Sequence, residues 1–591
     1  MSMGKMHINI LHRIDTGDTE CSVFEALVYQ QDAVHKLGMR ATLLLGTEAL
    51  YSEACVEYAL LQEKTHGDEL GLNLHGLTAN GLGERFGIKD SMVYLMPYER
   101  KIKLLFFVME LFKEKIGHYP KSVVSYVLDA RTLNWLHQTY PTVKAAITNC
   151  FEEGVKMFYG NQNQWYLFSD GGPWGAYYPS KANSLVEAKD REDYCGIVGL
   201  PHLNRDMLMA ITSRDDLFSS HPHNVMRAKA YDFDNMEMPY MDRFVDQWVK
   251  QLEYNDYIYY NVFVGPLWLT DESMLDESGA FARELYTQNM TYLKKKVDEG
   301  VAQISTMSEF AEWMEANVEI GTPEVNKWQD IICGSKREVY WYVDPYIRVA
   351  LDANIAGAIC DLRPHAGRLV RDLGNDTPNL CNMNYPFLIS CEHRGGVHDG
   401  SIHTYRLEIN GKETDLALKR TSISPGTDEN GNKFVKFEPV TYTLDNIRAT
   451  VESKYTFMGN GKIKISRKLV SCSNPNAVVK IKEYHCGCWG TTTYPEDMRG
   501  IDLIAYSNDG DEEKINFEYL GRELRTDTPK TMRALIPQLN ITVDMEPITD
   551  GTEGKVTEGW MFSPYYRMQL TKELKESEAL ESWLKIRQAE Y

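Results

Sequence analysis

Ionisable side chains gather directly behind the first short apolar segment of the chain. That segment is followed within a few residues by His12, Arg13, Asp15 and Asp18. A carboxylate in such a position can take up a proton or bind a metal ion. Asp18 is explained as well by a role as the N-cap of a helix that starts at Ser22. Asp15 is therefore the first candidate for a catalytic or metal-binding group.

Three later segments end in residues with similar potential. Asp68–His75 has the pattern of a strand with His75 at its tip, where an imidazole is either a metal ligand or a hydrogen-bonded structural group. Asp129 follows the next strand pattern and is either an acid–base group or the N-cap of the helix after it. Glu152 lies behind the fifth strand pattern, as a site residue or as part of a solvated turn.

More polar residues follow the sixth strand pattern and the loop behind it. We expect several of them to contact substrate. The candidate contacts there are His202, Arg205 and Asp206, and Arg13 at the end of the first strand is a further one. Further along, His221 and His223 form a His-x-His pair, which is either a metal-binding element or part of an exposed loop.

The segment Cys150–Asp193 is long and rich in Gly, Trp, Tyr and Asn. A loop of this length inside a compact domain is usually functional or disordered, and the aromatic content favours function. Flat aromatic rings suit the faces of sugars, so we expect this segment to form a wall of the site. The candidate residues are Trp174, Tyr177, Tyr178 and Lys181.

These candidates are positioned by a regular alternation of strand and helix patterns over about the first 320 residues. Strand patterns such as His7–Arg13 and Met39–Leu45 alternate with helix patterns such as Tyr98–Ile116 and Met307–Asn317. The alternation predicts βαβ units, and seven or eight of them predict an α/β barrel that is closed or nearly closed. An open doubly wound sheet is the alternative. In a barrel the reactive groups sit at the carboxyl ends of the strands, where the candidates above would meet.

The pattern changes at about Trp328 to short alternating runs such as HTYRLEIN and KIKISRKLVS, separated by turn sequences. These runs predict an all-β region, most simply a sandwich, and a charged helix is expected over Glu573–Glu590. The sequence therefore predicts two domains. Residues 1–325 form a β/α-barrel domain, and residues 326–591 form a β-sandwich domain with a terminal helix.

Composition narrows the possible partners. The formal net charge of −21 repels nucleic acid phosphates and anionic lipid, and the chain contains no apolar run of membrane-spanning length. The first residues lack the apolar core of a signal peptide, which predicts a cytoplasmic location, and no glycine fingerprint of a nucleotide site follows the first strand. Eleven cysteines without a dense framework predict reduced, mostly buried thiols. The sequence leaves the oligomeric state open.

Taken in order, the features of residues 7 to 317 resemble the polysaccharide deacetylase (NodB-like) superfamily and its glycoside hydrolase relatives. Asp15 ends the first strand, as an acid does in that family, and ATLLL stands at the place of the family's second strand. The third strand follows a Gly-acid pair and ends in His75. The double Asp after the first strand is absent, and the second histidine of the family's HxxxH motif is replaced by Ala79. The whole chain resembles gut-bacterial members with a C-terminal β-sandwich.

The resemblance implies a hydrolase acting on carbohydrate. In the deacetylase form, Asp15 and His75, with His12 as the third ligand, hold a divalent metal ion such as zinc, and Asp129 acts as base. In the glycosidase form, two carboxylates among Asp15, Asp129 and Glu152 cleave the glycosidic bond. A non-catalytic glycan-binding protein that keeps the fold is the main alternative, and a structural interaction protein using the β-sandwich is a further one.

Overall fold

The computed structural model describes residues 4–89, 93, 96–125, 128–149, 172–202, 204–208, 211, 238–272, 279–331, 334–367, 385–390, 401–414, 419–490, 495–560 and 565–590. They form two compact units. Unit 1 contains the described residues up to Thr322 together with Ile331, and unit 2 contains Pro323–Asp330 and the described residues from Gly334 onward. The predicted domain boundary between residues 325 and 326 lies within Pro323–Asp330.

In its described part, unit 1 contains one parallel sheet of eight strands. The strands are β1 Lys5–Ile14, β2 Thr42–Leu45, β3 Glu69–Asn73, β4 Ser122–Val124, β5 Ala145–Asn149, β6 Val198–Pro201, β7 Tyr257–Phe263 and β8 Ala302–Ile304. Their order is β6-β5-β4-β3-β2-β1-β7, and β8 also pairs with β1. The sheet curls into a half-barrel with β6 and β7 at the ends of the ladder. The expected closed or nearly closed barrel is therefore only partial.

Helices connect these strands. They are α1 Ser22–His35, α2 Thr47–Leu50, α3 Glu53–His66, α4 Leu82–Phe86, α5 Tyr98–Ile116, α6 Ala130–Thr139, α7 Met238–Lys250, α8 Gly279–Asp298 and α9 Met307–Asn317. In α5, Leu104, Leu105, Val108 and Phe112 follow helical spacing and are buried against the sheet core. The helix ends at Gly117, whose φ of 97° suits a glycine. No helix in the described ranges has the length and apolarity needed to cross a membrane.

In the residues that the structure describes, unit 2 consists of two antiparallel sheets, which agrees with the predicted all-β region. The strands are β9 Glu324–Gln329, β10 Glu338–Val343, β11 Ile347–Asp352, β12 Ala358–Pro364, β13 Ile402–Ile409, β14 Lys412–Glu413, β15 Ile423–Thr427, β16 Lys433–Leu444, β17 Ile447–Phe457, β18 Lys462–Cys472, β19 Val479–Gly487, β20 Asp502–Ser507, β21 Glu512–Asn516, β22 Glu523–Thr526, β23 Pro529–Ile536, β24 Ile541–Pro547, β25 Glu553–Thr557, β26 Tyr566–Glu573 and β27 Ala579–Gln588. One sheet has ten strands, in the order β22-β25-β26-β19-β13-β12-β11-β10-β9 with β14 on β13, and the other has nine, in the order β15-β16-β17-β18-β27-β24-β23-β20-β21. Side chains of both sheets share one apolar cluster, which includes Leu407, Ile481, Val451 and Leu469.

The helix predicted over Glu573–Glu590 is wrong. Its first residue ends β26, and most of the segment forms β27. Leu580, Leu584 and Ile586 are buried at alternate positions, the spacing of a strand with one face in the core. Strand β27 pairs with β18 on one side and with β24 on the other, so this segment lies inside the sheet.

Candidate active site

Four side chains from β1, β3 and the loops that follow them meet at the carboxyl end of the parallel sheet. Arg13 Nε lies 3.0 Å from Oδ2 of Asp15. Asn73 donates a hydrogen bond of 2.8 Å to Oδ1 of the same carboxylate, and its own Oδ1 accepts the backbone N–H of His75 at 3.1 Å. The Asp15 side chain remains 30% exposed. The carboxylate is thus held by one ion pair and one hydrogen bond while part of it still faces solvent.

The strand register explains why these residues meet. Arg13 pairs with Leu44 of β2, and Leu44 pairs with Gly71 of β3. Side chains alternate along a strand, so Asn73 lies on the same face as Gly71 and Arg13. A Cβ atom on Gly71 would lie 2.6 Å from Oγ of Ser122 and 2.8 Å from Cδ2 of Leu44. Glycine therefore allows the close packing that positions the end of β3.

The opposite side of the site comes from the ends of β6 and β7. The ring of His202 meets Phe263 edge to face with centroids 4.9 Å apart, and the guanidinium carbon of Arg13 lies 5.4 Å from the centre of the same ring. A Cβ atom on Gly265 would lie 2.5 Å from Nη2 of Arg13 and 3.4 Å from Cδ1 of the half-exposed Trp268. Gly265 therefore leaves room for the guanidinium beside an aromatic ring.

Two asparagines connect β6 to β7, the two ends of the strand ladder. The Asn261 side chain donates to the backbone oxygens of Pro201 and His202 at 2.8 and 3.0 Å. Asn204 Oδ1 accepts the backbone N–H of Asn261 at 2.7 Å, and its Nδ2 donates to the backbone oxygen of Tyr259 at 3.2 Å. Side-chain amides thus take the place of a strand pairing, and they fix the backbone of His202.

Replacement of Asn261 by Leu is expected to lower the free energy of unfolding of unit 1 by about 1–3 kcal/mol. The change removes two buried donors and leaves the carbonyls of Pro201 and His202 without them. Urea denaturation at pH 7.5 measures the effect. Asn317→Leu is the matched control, because the exposed Asn317 donates only to a carbonyl of its own helix. Equal stability of the two variants would contradict this role of Asn261.

Both histidines of the site are neutral at neutral pH. Burial, with the positive charge of Arg13, lowers the pKa of His75, and Asp15 opposes that effect. Burial, followed by Arg13 and His75, holds the pKa of His202 well below its usual value. The site therefore combines one carboxylate, one guanidinium and two neutral imidazoles that accept or donate hydrogen bonds.

Asp129 lies apart from this group in a closed environment. Its carboxylate is paired with Lys101 at 2.5 Å, and neither side chain has exposed surface. It also accepts hydrogen bonds from the backbone N–H and the hydroxyl of Thr132 at 3.1 and 2.6 Å, which caps α6. These contacts correspond to the N-cap alternative, and they do not support the predicted role as acid or base.

His12 does not join Asp15 and His75. It alternates with Arg13 along β1, so its side chain lies on the other face of the sheet, where it is buried and forms a hydrogen bond of 2.6 Å with the Tyr286 hydroxyl. Within the residues that the structure describes, no three His, Cys, Asp or Glu side chains are grouped to hold a metal ion. The positive charge of Arg13 already lies against Asp15. The residues present therefore do not fit the predicted divalent metal ion with His12 as third ligand.

Buried neutral histidines make unit 1 sensitive to acid. Burial lowers the pKa of His7 to about 4 and that of His12 to about 3. In the unfolded chain both take up a proton near pH 6.5, whereas in the folded chain they do not, so stability falls as the pH drops from about 6.5 toward 4. Each histidine contributes up to about 1.4 kcal/mol per pH unit in this window.

We expect His12→Gln to make the dependence of unfolding free energy on pH shallower by about 1 kcal/mol per unit between pH 6 and 4. Denaturant titrations at half-unit pH intervals measure this slope. His118→Gln, at an exposed position, controls for the loss of an imidazole as such. An unchanged slope in His12→Gln would show that His12 is protonated in the folded state.

The aromatic residues that were predicted to form a wall of the site are buried in the protein interior. Trp174, Tyr177 and Tyr178 are buried, with at most 4% of each residue exposed. The Tyr177 hydroxyl donates to the backbone oxygen of Ser184 at 2.5 Å, and the Tyr178 hydroxyl donates to backbone oxygens at the end of α9. Lys181 is exposed and donates to the Glu192 oxygen at 2.6 Å. These rings serve packing, and their burial does not support the predicted sugar contacts.

The remaining predicted residues fall into two groups. Arg205 and Asp206 are buried in the loop after β6, where Asp206 Oδ1 accepts the backbone N–H of Leu208 at 3.0 Å. Glu152, His221 and His223 lie outside the described residues.

Three residues of the site escaped the sequence interpretation as site residues. Asn73 is a buried amide at the end of β3, Asn261 is a buried amide inside the largely apolar β7, and Phe263 ends β7. A buried amide within a strand is a usable signal, because an amide without hydrogen-bond partners there is costly. Its partners come from distant parts of the chain, so sequence alone does not identify them.

Comparison with known proteins gives distant similarities. Residues 38–265 match the model of a family described as a domain of unknown function with a solved structure, DUF3863. The chain finds no match among curated proteins. A provisionally assigned glycoside hydrolase/deacetylase from Parabacteroides distasonis is 15% identical, with a TM-score of 0.47, and covers 61% of this chain and 86% of its own.

Two further solved structures are similar at lower levels. A 4-alpha-glucanotransferase from Thermococcus litoralis is 9% identical, with a TM-score of 0.27, and covers 99% of this chain and all (100%) of its own. A heparan sulfate lyase from Pedobacter heparinus is 10% identical, with a TM-score of 0.26, and covers 53% of this chain and 50% of its own. Similarity at this level leaves function to be argued from the site.

Proposed function

We propose that this chain is a hydrolase acting on carbohydrate, and that its reaction is the removal of an acyl group from a sugar. One observation carries the proposal. Asp15 stands partly exposed at the carboxyl end of the parallel strands, fixed by Arg13 and Asn73 and adjacent to the neutral His75. A fixed carboxylate beside neutral hydrogen-bonding groups suits the activation of a water molecule.

The distribution of carboxylates favours acyl removal over glycosidic cleavage. A glycosidase of the usual kind needs two carboxyl groups on either side of the scissile bond. Asp129, one of the predicted carboxylates, is enclosed in its pair with Lys101 and is closed to substrate. Asp15 is a predicted carboxylate that the described site presents to substrate, and one carboxylate suffices as the base in ester or amide hydrolysis.

The residues at hand define a balanced reaction. Asp15 takes a proton from a water molecule whose oxygen attacks the acyl carbon. The tetrahedral intermediate collapses with loss of the sugar oxygen or nitrogen, which receives that proton from Asp15. In this mechanism His75 and His202, both neutral, orient the water and the substrate through hydrogen bonds. The products are a carboxylic acid and a sugar with a free hydroxyl or amino group.

A sugar substrate is supported by the aromatic side chains next to these charged groups. Trp268 is half exposed close to Arg13, and Phe263 supports both Arg13 and His202. An aromatic face with polar groups beside it suits a sugar ring, which has apolar faces and a polar rim. The resemblance of residues 7 to 317 to deacetylases of polysaccharides points to the same class of substrate.

Release of acetate tests the proposal. The purified chain is incubated with N-acetylated chitooligosaccharides and with O-acetylated xylooligosaccharides, and acetate is measured enzymatically, beside a panel of nitrophenyl glycosides. Acetate release that Trp268→Ala reduces supports the proposal. Cleavage of a glycoside without acetate release would replace acyl removal by glycosidic hydrolysis. Binding of these oligosaccharides without any product would favour the non-catalytic glycan-binding alternative.

A further inference from the structure

The charge at the site suggests a departure from metal-dependent deacetylases. We propose that the Arg13 guanidinium supplies the positive charge that the sequence resemblance assigns to a divalent metal ion, and that it binds the oxygen of the acyl group without a resident metal. The inference rests on the proposed function, because it names the group that receives the negative charge of that reaction.

The position of the Arg13 charge disfavours a divalent ion on Asp15. A divalent ion bound by Asp15 would share that carboxylate with a guanidinium whose Nε is 3.0 Å from Oδ2. Two cations bound to the same carboxylate in a partly buried site repel each other. The other oxygen of Asp15 accepts a hydrogen bond from the Asn73 amide. This amide fixes the carboxylate but adds no negative charge that could attract a metal ion. The negative charge of Asp15 is therefore already balanced by Arg13 in the absence of a metal ion.

The packing around Arg13 restricts its movement away from this position. Its guanidinium lies against the ring of Phe263. It is also packed so closely against Gly265 that a Cβ atom on that residue would lie 2.5 Å from Nη2. The side chain is 14% exposed. A cation fixed in this way before substrate binds stabilises charge that develops during a reaction without first having to move.

The chemistry of the bound group follows from the guanidinium. Arginine binds carboxylates with charge-assisted hydrogen bonds, and it stabilises a carbonyl oxygen that becomes negative. Acetate, the expected product of deacetylation, has the charge and size of such a ligand. It can therefore probe the site without any turnover.

The experiment measures acetate binding and metal content on the same protein. Sodium acetate is titrated into the full chain after dialysis against EDTA and again after addition of zinc chloride, with sodium chloride balancing ionic strength. We expect equal affinity in both states and at least a tenfold loss in Arg13→Gln. Arg13→Lys, which keeps the charge, should bind at an intermediate level and guards against a general folding defect of Arg13→Gln. Arg40→Gln is the matched control, because Arg40 is paired with Glu309 before β2, at the opposite end of the strands.

Several results would overturn the inference. One is a stoichiometric divalent metal that co-purifies with the wild-type chain and is lost in His75→Ala. Another is acetate binding that appears only with added metal, and a third is unchanged affinity in Arg13→Gln. The two proposals fail separately. Arg13-dependent acetate binding without acetate release from any acetylated sugar would refute the proposed function alone, whereas acetate release that requires a metal would refute this inference alone.

Discussion

Replacement of Asp15 by Asn is expected to lower kcat for acyl removal by about 10²–10⁴-fold, the usual contribution of a general base. Asparagine keeps the size of the side chain but has no carboxylate to accept the proton of the attacking water. Asn73 contacts Oδ1 of Asp15 and Arg13 lies against Oδ2, and the other groups of the site, such as Trp268 and His202, are left unchanged by the substitution. We therefore expect the loss mainly in kcat, with KM changed by a much smaller factor. Initial rates of acetate release over a range of substrate concentrations separate the two.

Asp32→Asn is the matched control for this substitution. Asp32 is an exposed aspartate on α1 that forms an ion pair with Lys36 within the same helix. Its replacement removes the same charge from the same unit without touching the site, and activity should stay within about twofold, as surface ion pairs contribute little. Thermal unfolding of both variants checks that the fold persists. Retention of more than a tenth of the wild-type kcat in Asp15→Asn would exclude Asp15 as the base.

Local patterns were sufficient to predict most elements of unit 1. The helices Tyr98–Ile116 and Met307–Asn317 have the predicted bounds, because each carries a helical apolar face and a clear end signal. The curling of the sheet was not predictable in the same way. Whether β6 meets β7 depends on side-chain amides of Asn204 and Asn261, which substitute for backbone pairing between segments far apart in sequence.

The error at the chain's end has a related cause. The segment Ala579–Gln588 contains charged residues at spacings that also suit a helix, and its alternation is visible only once one face is known to be buried. Pairing with β18 and β24 settles the matter, and both partners are distant in sequence. Long-range pairing overrides a weak local preference.

The candidate site was predictable at its strand ends and not in its walls. Asp15 and His75 could be singled out because ionisable residues after apolar strands meet at one edge of a parallel sheet. Tyr177 and Tyr178 could not be judged, because an aromatic residue in a loop can point outward or fill a core, and their hydroxyls bond internally. An aromatic side chain can bind a sugar only if its ring is exposed, and the exposure of a ring cannot be predicted from the local sequence.

Unit 2 contains a buried ion pair that joins its two sheets. Glu483 of β19 accepts two hydrogen bonds from Arg467 of β18, at 2.7 and 2.9 Å, and one from His403 at 2.7 Å. Arg467 also donates to the Tyr455 hydroxyl at 2.5 Å, and its guanidinium carbon lies 4.7 Å from the ring centre of Tyr405. Burial opposes ionisation of Glu483, but Arg467 and His403 outweigh it, and the pKa of Glu483 is lowered. Both members of the pair are therefore charged inside the sandwich.

Glu483→Gln is expected to lower the free energy of unfolding of unit 2 by about 3–5 kcal/mol, because it leaves the buried Arg467 without its counter-ion. The double variant Glu483→Gln, Arg467→Met should recover part of this loss, since it removes the uncompensated charge. Hydrogen exchange of peptides from β18 and β19 under increasing urea assigns the change to this unit. Asp445→Asn, which breaks an exposed pair with Lys412 in the same unit, should cost under about 1 kcal/mol. If Glu483→Gln lost no more unfolding free energy than Asp445→Asn, water would have to solvate the unpaired guanidinium of Arg467. The buried pair would then contribute little to stability.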